Sequence, residues 1–187
     1  MSILRIKNFD ELAVTPFHRT ILEALQVGIA AADPQKAVEK ALQRRGSKLF
    51  IAGDEIELGR LHVVGFGKAS VGMVKGVINV VGDAVQGGVA ISPFYEGKIG
   101  PVEIVRGDHP IPGASTLRSS RRLLQYLEEA VKPDDVVLVL ISGGGSALFE
   151  VPENGIELSE IAQISSELMK ACLLYTSPSP RDLSTSR

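Results

Sequence analysis

The sequence predicts an α/β protein in which helices cover both faces of a mostly parallel sheet. Short apolar runs that end in glycine alternate along the chain with segments whose apolar residues recur at helical spacing, and this alternation is typical of βαβ units. The chain has 187 residues, of which 44% are apolar. It can therefore bury one sizeable core, or at most one large and one small domain.

Two helices are predicted before the first strand. Asp33 and Pro34 mark the start of the second helix, because aspartate can cap a helix and proline fits the first helical position. We expect this helix to run through Leu42 and to end at Gly46, since glycine commonly follows a helix end. The apolar face of the first helix contains Phe17, Ile21, Leu22, Leu25 and Ile29.

Five apolar runs predict strands, and three amphipathic segments predict further helices. The first of these helices covers residues 70–81 and ends at Gly82, Ser115 is expected to cap the next, and Ser159 is expected to open the last. Apolar runs of this length are typical of strands buried on both faces of a parallel sheet. The predicted strands are residues 48–53, 61–65, 87–93, 102–105 and 136–141.

Charge and composition exclude several classes of protein. Lysine plus arginine (20) nearly balance aspartate plus glutamate (22), for a formal net charge of −2. This balance argues against binding to nucleic acid or anionic lipid through overall charge. The longest run of Val, Ile and Leu, residues 136–141, is far shorter than the roughly 20 residues of a membrane span. Residues 1–8 lack the apolar core of a secretory signal, and the single cysteine, Cys172, excludes an internal disulfide framework and a cysteine-based zinc site. We therefore expect a cytoplasmic protein of enzyme-like composition.

Residues 172–187 differ from the rest of the chain. Ser, Thr and Pro are frequent there, and apolar residues do not recur at a regular spacing. Both features are typical of a flexible C-terminus. The peptide Leu-Leu-Tyr-Thr-Ser-Pro-Ser-Pro-Arg-Asp in this segment also resembles translated sequencing-adapter read-through. We prefer the second interpretation, so we predict an α/β domain over residues 1–171 and a non-native, disordered tail over residues 172–187.

Two turns combine a buried strand, glycines and the start of a helix. They cover residues 65–70 and 142–148, and both should lie at the carboxyl edge of the sheet, where open α/β folds bind ligands. Glycine lets backbone N–H groups approach an anion, although glycines also occur in such turns for steric reasons alone. The sequence leaves open which turn holds which anion. The cofactor-binding candidates are Gly65, Gly67, Lys68 and Ser70, and the substrate-binding candidates in the second turn are Ser142, Gly143, Gly144, Gly145 and Ser146.

The first turn matches neither of two known phosphate motifs. Only Phe66 separates its glycines before Lys68, so it is not a Gly-x-x-x-x-Gly-Lys-[Ser/Thr] phosphate loop. A dinucleotide fingerprint needs glycine at position 70 and an acidic residue after the next strand, but the sequence has Ser70 and Ser92-Pro93 there. The second turn lacks the Gly-x-Ser-x-Gly pattern of a serine hydrolase, so we interpret its hydroxyls as donors to an oxyanion or phosphate.

Lys68 is the candidate catalytic residue. It follows the strand just where the helix begins, so its ammonium group could reach the cleft. There it would neutralise charge on a phosphoryl group in transit. The alternative is a surface lysine whose stem covers apolar neighbours.

A loop with two prolines supplies two more substrate-binding candidates, Asp108 and His109. The prolines stiffen the loop after a short strand, so the imidazole could bind a hydroxyl or carboxylate of a small substrate while Asp108 orients it. The alternative is that His109 only holds the loop in place by a hydrogen bond to backbone.

His62, in the middle of a strand, is predicted to be a core or sheet histidine whose ring nitrogens are hydrogen-bonded within the protein. The helix after the loop carries a basic face that is either solvated or a phosphate contact, formed by Arg118, Arg121 and Arg122.

Three segments, residues 65–70, 107–113 and 141–150 in that order, resemble the glycerate 2-kinase family, whose members are sometimes labelled hydroxypyruvate reductases. The most specific is Ile-Ser-Gly-Gly-Gly-Ser-Ala-Leu-Phe-Glu at 141–150. The resemblance implies ATP-dependent phosphorylation of D-glycerate at its 2-hydroxyl, giving 2-phosphoglycerate, with magnesium and with Lys68 as the active-site lysine. It also implies a Rossmann-like three-layer α/β/α sandwich, followed by a second α/β domain that completes the active-site cleft.

Members of that family are considerably longer than this chain. We therefore expect an N-terminal fragment that keeps Lys68 and the glycine turns but is inactive alone, with the metal ligands in the missing part.

Two alternatives stay open: an NAD(P)-dependent hydroxypyruvate reductase and a small-molecule binding module like the sugar-phosphate sensors. The expected partners are D-glycerate and ATP, without nucleic acid or membrane. The general base and the oligomeric state stay open, a homodimer included.

Overall fold

The computed structural model describes residues 6–171, and the predicted tail at 172–187 lies outside them. None of the helices in this range is long and apolar enough to cross a membrane. The elements in chain order are α1 (Phe9–Leu12), α2 (Pro16–Ala31), α3 (Pro34–Ala41), β1 (Leu42–Arg45), β2 (Lys48–Ile51), β3 (Asp54–Glu57), β4 (Leu61–Phe66), α4 (Ser70–Val81), a 3-10 helix (Gly82–Ala84), β5 (Val85–Ser92), β6 (Gly97–Ile99), β7 (Val102–Arg106), α5 (Ala114–Ala130), β8 (Val136–Ile141), α6 (Gly145–Leu148) and α7 (Leu158–Lys170).

The larger of two sheets has five strands in the order β6-β7-β5-β4-β8. The strands β7, β5, β4 and β8 are parallel to one another, and β6 pairs antiparallel with β7 at one edge. The chain passes from β4 to β5 and β7 in one direction, and it then returns to add β8 on the other side of β4. The connections therefore change direction at β4, and the predicted α/β class with a mostly parallel sheet is confirmed.

Helices cover both faces of this sheet. Val77 of α4 packs in a core cluster on one face together with Val63 of β4. Leu123 of α5 and Leu148 of α6 pack in a second cluster with Val64. Because successive side chains of a strand point to opposite faces, Val63 and Val64 separate the two clusters. The result is the expected three-layer α/β/α arrangement.

The second sheet differs from the prediction. Its strands β1, β2 and β3 are antiparallel neighbours, so the run at 48–53 does not join the parallel sheet, and within β2 only Leu49 is buried. The second helix ends at Ala41, and Gly46, with φ of 61°, lies in the turn between β1 and β2. The expectation that Gly46 ends a helix was therefore wrong. Charged and apolar residues mix in these short strands because one of their faces is in water.

Three element boundaries also differ. The helix α5 begins at Ala114 and α7 begins at Leu158, so Ser115 and Ser159 each lie inside a helix and do not cap it. The strand β6 was not predicted, because a strand of three residues is too short to show alternation. It adds one antiparallel edge to the sheet.

Two apolar surfaces of the described residues are open to solvent. The strand β8 forms an edge of the sheet, and its side chains Val139 and Ile141 are 48% and 62% exposed, although burial on both faces was expected. The helix α2 forms as predicted, but none of its residues is buried, and Phe17 is 71% exposed. The sheet is therefore open on the side of β8.

His62 lies in a buried polar network at the amino end of the sheet, as predicted for a core histidine. Its Nδ1 is 2.6 Å from the Tyr126 hydroxyl, and its Nε2 is 3.1 Å from Asp135 Oδ2. The same Asp135 oxygen accepts the backbone N–H of Lys132 at 2.9 Å, and Arg60 lies 3.6 Å from the other oxygen. The network joins β4, α5 and the turn before β8.

Asparagine in place of Asp135 should reduce the acid sensitivity of the fold. The N–H of Lys132, with smaller contributions from His62 and Arg60, lowers the pKa of Asp135 below its ordinary value of 3.8. A lowered folded-state pKa contributes stability that is present above about pH 4 and is lost as the pH falls through the folded-state pKa. Urea unfolding midpoints should therefore fall more steeply with acid in the wild type than in Asp135→Asn.

The exposed neighbour Asp134 provides the control for that measurement. Asp134→Asn should keep the acid dependence of the wild type. Parallel pH profiles for the wild type and Asp135→Asn would contradict the role given to this carboxylate.

Candidate active site

The two glycine turns predicted to form the site meet at the carboxyl ends of β4 and β8. These strands are neighbours in the sheet, and the chain leaves β4 toward α4 on one face but leaves β8 toward α6 on the other. Open α/β sheets bind ligands at such a point, where the connections diverge and leave a crevice. Both glycine turns lie here.

The two turns are hydrogen-bonded directly to each other. The backbone N–H of Lys68 donates to the carbonyl of Gly143 at 3.0 Å, and the N–H of Ala69 donates to Ser142 Oγ at 3.0 Å. In the opposite direction, the N–H of Ser142 donates to the carbonyl of Phe66 at 3.1 Å. The residues predicted to hold a nucleotide and those predicted to hold a substrate therefore form one site.

These contacts also correct an expectation about the first turn. Its N–H groups are used inside the protein: besides those of Lys68 and Ala69, the N–H of Gly67 donates to Ile91 O at 3.3 Å and that of Ser70 donates to Gly67 O at 3.2 Å. The buried Ser70 hydroxyl donates to Ile91 O at 2.9 Å. The first turn therefore does not offer the nest of free amides that was expected there.

Gly65 and Gly67 instead allow the backbone of β4 to approach β8. A methyl group on Gly65 would lie 2.8 Å from the carbonyl oxygen of Leu140. A methyl group on Gly67 would overlap Ser142 Oγ and lie 2.6 Å from Ser142 O, and the φ of Gly67 is +129°, a region that side chains other than glycine rarely adopt. The steric interpretation of these two glycines is supported.

The second turn does keep free amides. No hydrogen bond within residues 6–171 uses the N–H groups of Gly143, Gly144 or Gly145. Gly144 has a left-handed backbone with φ of 83°, and successive N–H groups in such a turn can surround an anion. Gly143 is exposed, so a ligand can reach the turn.

Lys68 and His109 both lie against this turn. A methyl group built on Gly144 would lie 3.4 Å from Cε of Lys68 and 2.7 Å from Nε2 of His109. The Lys68 side chain is exposed, and no carboxylate among the described residues lies within 4.0 Å of its ammonium. The Lys68 side chain and the His109 imidazole therefore lie beside the free N–H groups of the second turn, a set of donors that suits an anionic ligand.

The loop that carries His109 is fixed by Asp108 and Thr116. The Asp108 carboxylate accepts the N–H groups of Ser115 at 2.8 Å and Thr116 at 3.2 Å, so it caps the helix α5. The Thr116 hydroxyl accepts the N–H of Asp108 and donates to the carbonyl of Ala147, both at 2.9 Å. The carboxylate predicted to orient the imidazole is thus engaged with the helix, and Thr116 links the His109 loop to the second turn.

Valine in place of Thr116 should destabilise the fold. The side chain is fully buried, and its removal leaves the N–H of Asp108 and the carbonyl of Ala147 without a partner. Each unsatisfied buried group costs about 1–3 kcal/mol. We expect a loss of this order in the free energy of unfolding measured with urea.

Thr20→Val is the matched control, because Thr20 is exposed on α2. It should change the free energy of unfolding by less than about 0.5 kcal/mol. Equal effects of the two substitutions would contradict the linking role of Thr116.

The two serines of the second turn differ. Ser142 Oγ accepts the N–H of Ala69, while its own proton remains able to donate. Ser146 is exposed and lines a separate cavity of about 140 Å³ beneath α7, together with Pro110 and Met169. Only Ser142 therefore belongs to the contact between the two turns.

Sequence reasoning missed Arg106 and Phe94. Both line a cavity of about 340 Å³ that also contains Asp108 and His109. Arg106 is the last residue of β7, so its position at the carboxyl end of a predicted strand was the available signal.

The described residues do not form a metal site of their own. Among residues 6–171, no three His, Cys, Asp or Glu side chains lie close enough together to hold a metal ion. Magnesium beside a nucleotide needs only one or two carboxylates together with phosphate oxygens, so the expected magnesium stays a prediction.

Comparison with known proteins identifies the family of the chain. The family described as "Domain of unknown function (DUF4147)" matches residues 20–174. A glycerate 2-kinase of Pyrococcus horikoshii is 35% identical over 145 residues, which are 76% of this chain and 32% of that protein. A D-glycerate 2-kinase of Thermotoga maritima is 34% identical over 80% of this chain and 34% of its own length. A putative hydroxypyruvate reductase of Agrobacterium vitis is 30% identical over 86% of this chain and 34% of its own length.

Two crystal structures have the same fold. One, of a Pyrococcus horikoshii protein, has a TM-score of 0.71 and 31% identity and covers 84% of this chain and 36% of its own. The other, of a glycerate kinase from Thermotoga maritima, has a TM-score of 0.63 and 32% identity and covers 79% of this chain and 33% of its own. The chain spans about a third of the length of the curated relatives it matches. It belongs to the DUF4147 family and is homologous to proteins named glycerate 2-kinase.

Proposed function

We propose that this chain supplies the phosphate-binding part of an ATP-dependent glycerate 2-kinase. The observation that carries the proposal is the meeting of the Lys68 side chain with the free N–H groups of the turn at Gly143, Gly144 and Gly145. The names of the relatives support glycerate as the phosphoryl acceptor. ATP as donor and 2-phosphoglycerate as product are part of the proposal.

Phosphoryl transfer needs mainly positioning and charge neutralisation. The γ-phosphoryl group would lie at the second turn, where three N–H groups and the ammonium of Lys68 face its oxygens. The backbone of the second turn is fixed before the ligand arrives, because Gly143 O accepts the N–H of Lys68 and Ser142 Oγ accepts the N–H of Ala69. Preorganised donors stabilise charge as it develops and need no rearrangement during the reaction.

His109 is our candidate contact for the reacting hydroxyl of glycerate. The hydroxyl oxygen forms a bond to the γ-phosphorus, the bond between that phosphorus and the β–γ bridging oxygen breaks, and the hydroxyl proton leaves. The Nε2 atom of His109 lies at the same turn as Lys68, so a neutral imidazole there can accept this proton. Magnesium enters the proposal only as the ion that accompanies ATP, and no step is assigned to it.

A nicotinamide-dependent hydroxypyruvate reductase is the second candidate, since a relative carries that name. Such an enzyme would use the first turn to bind the pyrophosphate of the dinucleotide. The N–H groups of Lys68 and Ala69 are occupied by Gly143 and Ser142, and Ser70 is buried. This arrangement favours the kinase.

Calorimetric titration of the chain with ATP and magnesium, and separately with NADPH, tests the choice. We expect ATP to bind and NADPH not to bind. Binding of NADPH alone, or oxidation of NADPH by hydroxypyruvate, would overturn the kinase proposal. Binding of neither nucleotide would also count against it.

The isolated chain should bind without turning over. We expect no formation of ADP that depends on D-glycerate, because the second domain that we propose for the whole protein is absent from this segment. Detectable D-glycerate-dependent ADP formation by the 187-residue chain would refute the proposal that it is an inactive fragment.

A further inference from the structure

Arg106 lies at the same sheet edge as the proposed phosphate site. It ends β7, which is parallel to β5 and β4, so its backbone lies at the carboxyl edge with Lys68. Together with His109 and Phe94 it lines the cavity of about 340 Å³. Arg106 and His109 therefore line the same cavity, and Arg106 also lines a neighbouring cavity of about 240 Å³ together with Arg118 and Arg122.

The Arg106 guanidinium has no carboxylate within 4.0 Å among the described residues, so no ion pair there neutralises its charge. Glu103 of the same strand pairs with Arg122 at 2.8 Å, and the Asp108 carboxylate accepts N–H groups of α5. The backbone of Arg106 is held by Ser119, whose hydroxyl donates to the Arg106 carbonyl at 2.6 Å. Arg106 is thus a cation at a fixed strand end, without a carboxylate partner within residues 6–171.

We infer that Arg106 binds the carboxylate of the acceptor substrate and so selects which hydroxyl reacts. This inference rests on the proposed function. A guanidinium group presents parallel N–H donors that match the two oxygens of a carboxylate. The phosphate already has Lys68 and the free amides of the second turn, so the guanidinium group is available for the second anion.

The position of the carboxylate then determines the reacting hydroxyl. In glycerate the 2-hydroxyl is on the carbon next to the carboxylate, whereas the 3-hydroxyl is one carbon farther away. When the carboxylate is bound at Arg106, which lines the same cavity as His109, we expect the 2-hydroxyl to lie closer to the imidazole than the 3-hydroxyl does. Arg106 is therefore a determinant of substrate class, favouring 2-hydroxy acids with a free carboxylate.

The test is a titration of the ¹⁵N-labelled chain with D-glycerate and with glyceramide, which lacks the charged carboxylate. Loss of a charged hydrogen-bonded pair costs about 1.5–3 kcal/mol, so Arg106→Gln should weaken D-glycerate binding about ten- to a hundredfold. Arg106→Lys should recover part of the affinity. Glyceramide should bind the wild type as weakly as D-glycerate binds Arg106→Gln.

Two controls separate this inference from the proposed function. Arg121→Gln removes an exposed cation from α5 that lines neither this cavity nor its neighbour, and it should bind D-glycerate like the wild type. ATP affinity should be unchanged in Arg106→Gln. Equal D-glycerate affinity in the wild type and Arg106→Gln, or ATP binding without any D-glycerate binding, would overturn the inference alone. A wild type that binds neither ligand would overturn both.

Discussion

Alanine in place of Lys68 is expected to weaken ATP binding by this chain about ten- to a hundredfold. The Lys68 side chain lies against Gly144, since its Cε would be 3.4 Å from a methyl group built there, next to N–H groups that no hydrogen bond within residues 6–171 uses. A charge-assisted hydrogen bond to a phosphate oxygen contributes about 1.5–3 kcal/mol, and each 1.4 kcal/mol corresponds to about a factor of ten in affinity. Calorimetric titration with ATP and magnesium measures this loss.

Lys75 provides the matched control for this substitution. It is an exposed lysine on α4, the helix that follows Lys68, and Lys75→Ala removes the same charge from a different place. We expect its ATP affinity to stay within about twofold of the wild type, since separated surface charges are screened at physiological salt. If both alanine variants lose affinity equally, the contribution is one of net charge and the role of Lys68 is contradicted.

Alanine at Lys68 should lower the rate of phosphorylation by a larger factor than it lowers the affinity for ATP. Removing one preorganised donor to a transition state costs about 10²–10³-fold in rate. In a full-length relative, if the position that matches Lys68 is a lysine, as the family resemblance implies, alanine there should therefore lower the rate of D-glycerate phosphorylation by this amount while the fold survives. An unchanged rate would mean that the catalytic cation lies elsewhere.

Alanine in place of Gly67 is expected to separate the two turns. The added methyl group would overlap Ser142 Oγ and lie 2.6 Å from Ser142 O, and the backbone of Gly67 has φ of +129°. Both the left-handed region and the overlap disfavour alanine, so we expect a loss of about 2–4 kcal/mol in the free energy of unfolding. Because the bonds between Lys68 and Gly143 and between Ala69 and Ser142 would break, ATP binding should also fall.

Gly28→Ala is the control for this effect. Gly28 lies inside α2, its φ is not positive, and a methyl group there would have no neighbour within 4 Å. Alanine should therefore stabilise the helix by about 0.5–1 kcal/mol. Urea unfolding of both variants gives the comparison, and a Gly67→Ala variant as stable as the wild type would contradict the close approach of the turns.

The parallel sheet and its helices were predictable because their sequence signals are local. The helical spacing of apolar residues predicts a helix over 70–81, and α4 has the same bounds. The apolar runs at 61–65, 87–93 and 136–141 predict strands, and each run forms one in the structure. The small antiparallel sheet was not predictable in this way. Its strands have four residues each, so Gly46 could indicate a helix end as well as a hairpin turn.

The candidate site was predictable in its position but not in its bonding. The rule that ligands bind at the carboxyl edge of a parallel sheet predicted that the two glycine turns lie at one edge, and the structure has them in contact there. It could not tell that the first turn uses its own N–H groups, because their partners, Ile91 and residues 142–143, are distant in the sequence. For the same reason Asp108 could not be recognised as the cap of α5.

The phosphate site at the second turn is tested most directly by a titration of the ¹⁵N-labelled chain with ATP, in which the amide shifts of both turns are measured. We expect the largest shifts at Gly143, Gly144 and Gly145, whose N–H groups make no hydrogen bond within residues 6–171. We expect smaller shifts at Gly67 and Ser70, whose N–H groups are already bonded within the protein. Largest shifts on a distant surface, such as the arginines of α5, or no shift at the second turn, would contradict the proposed site.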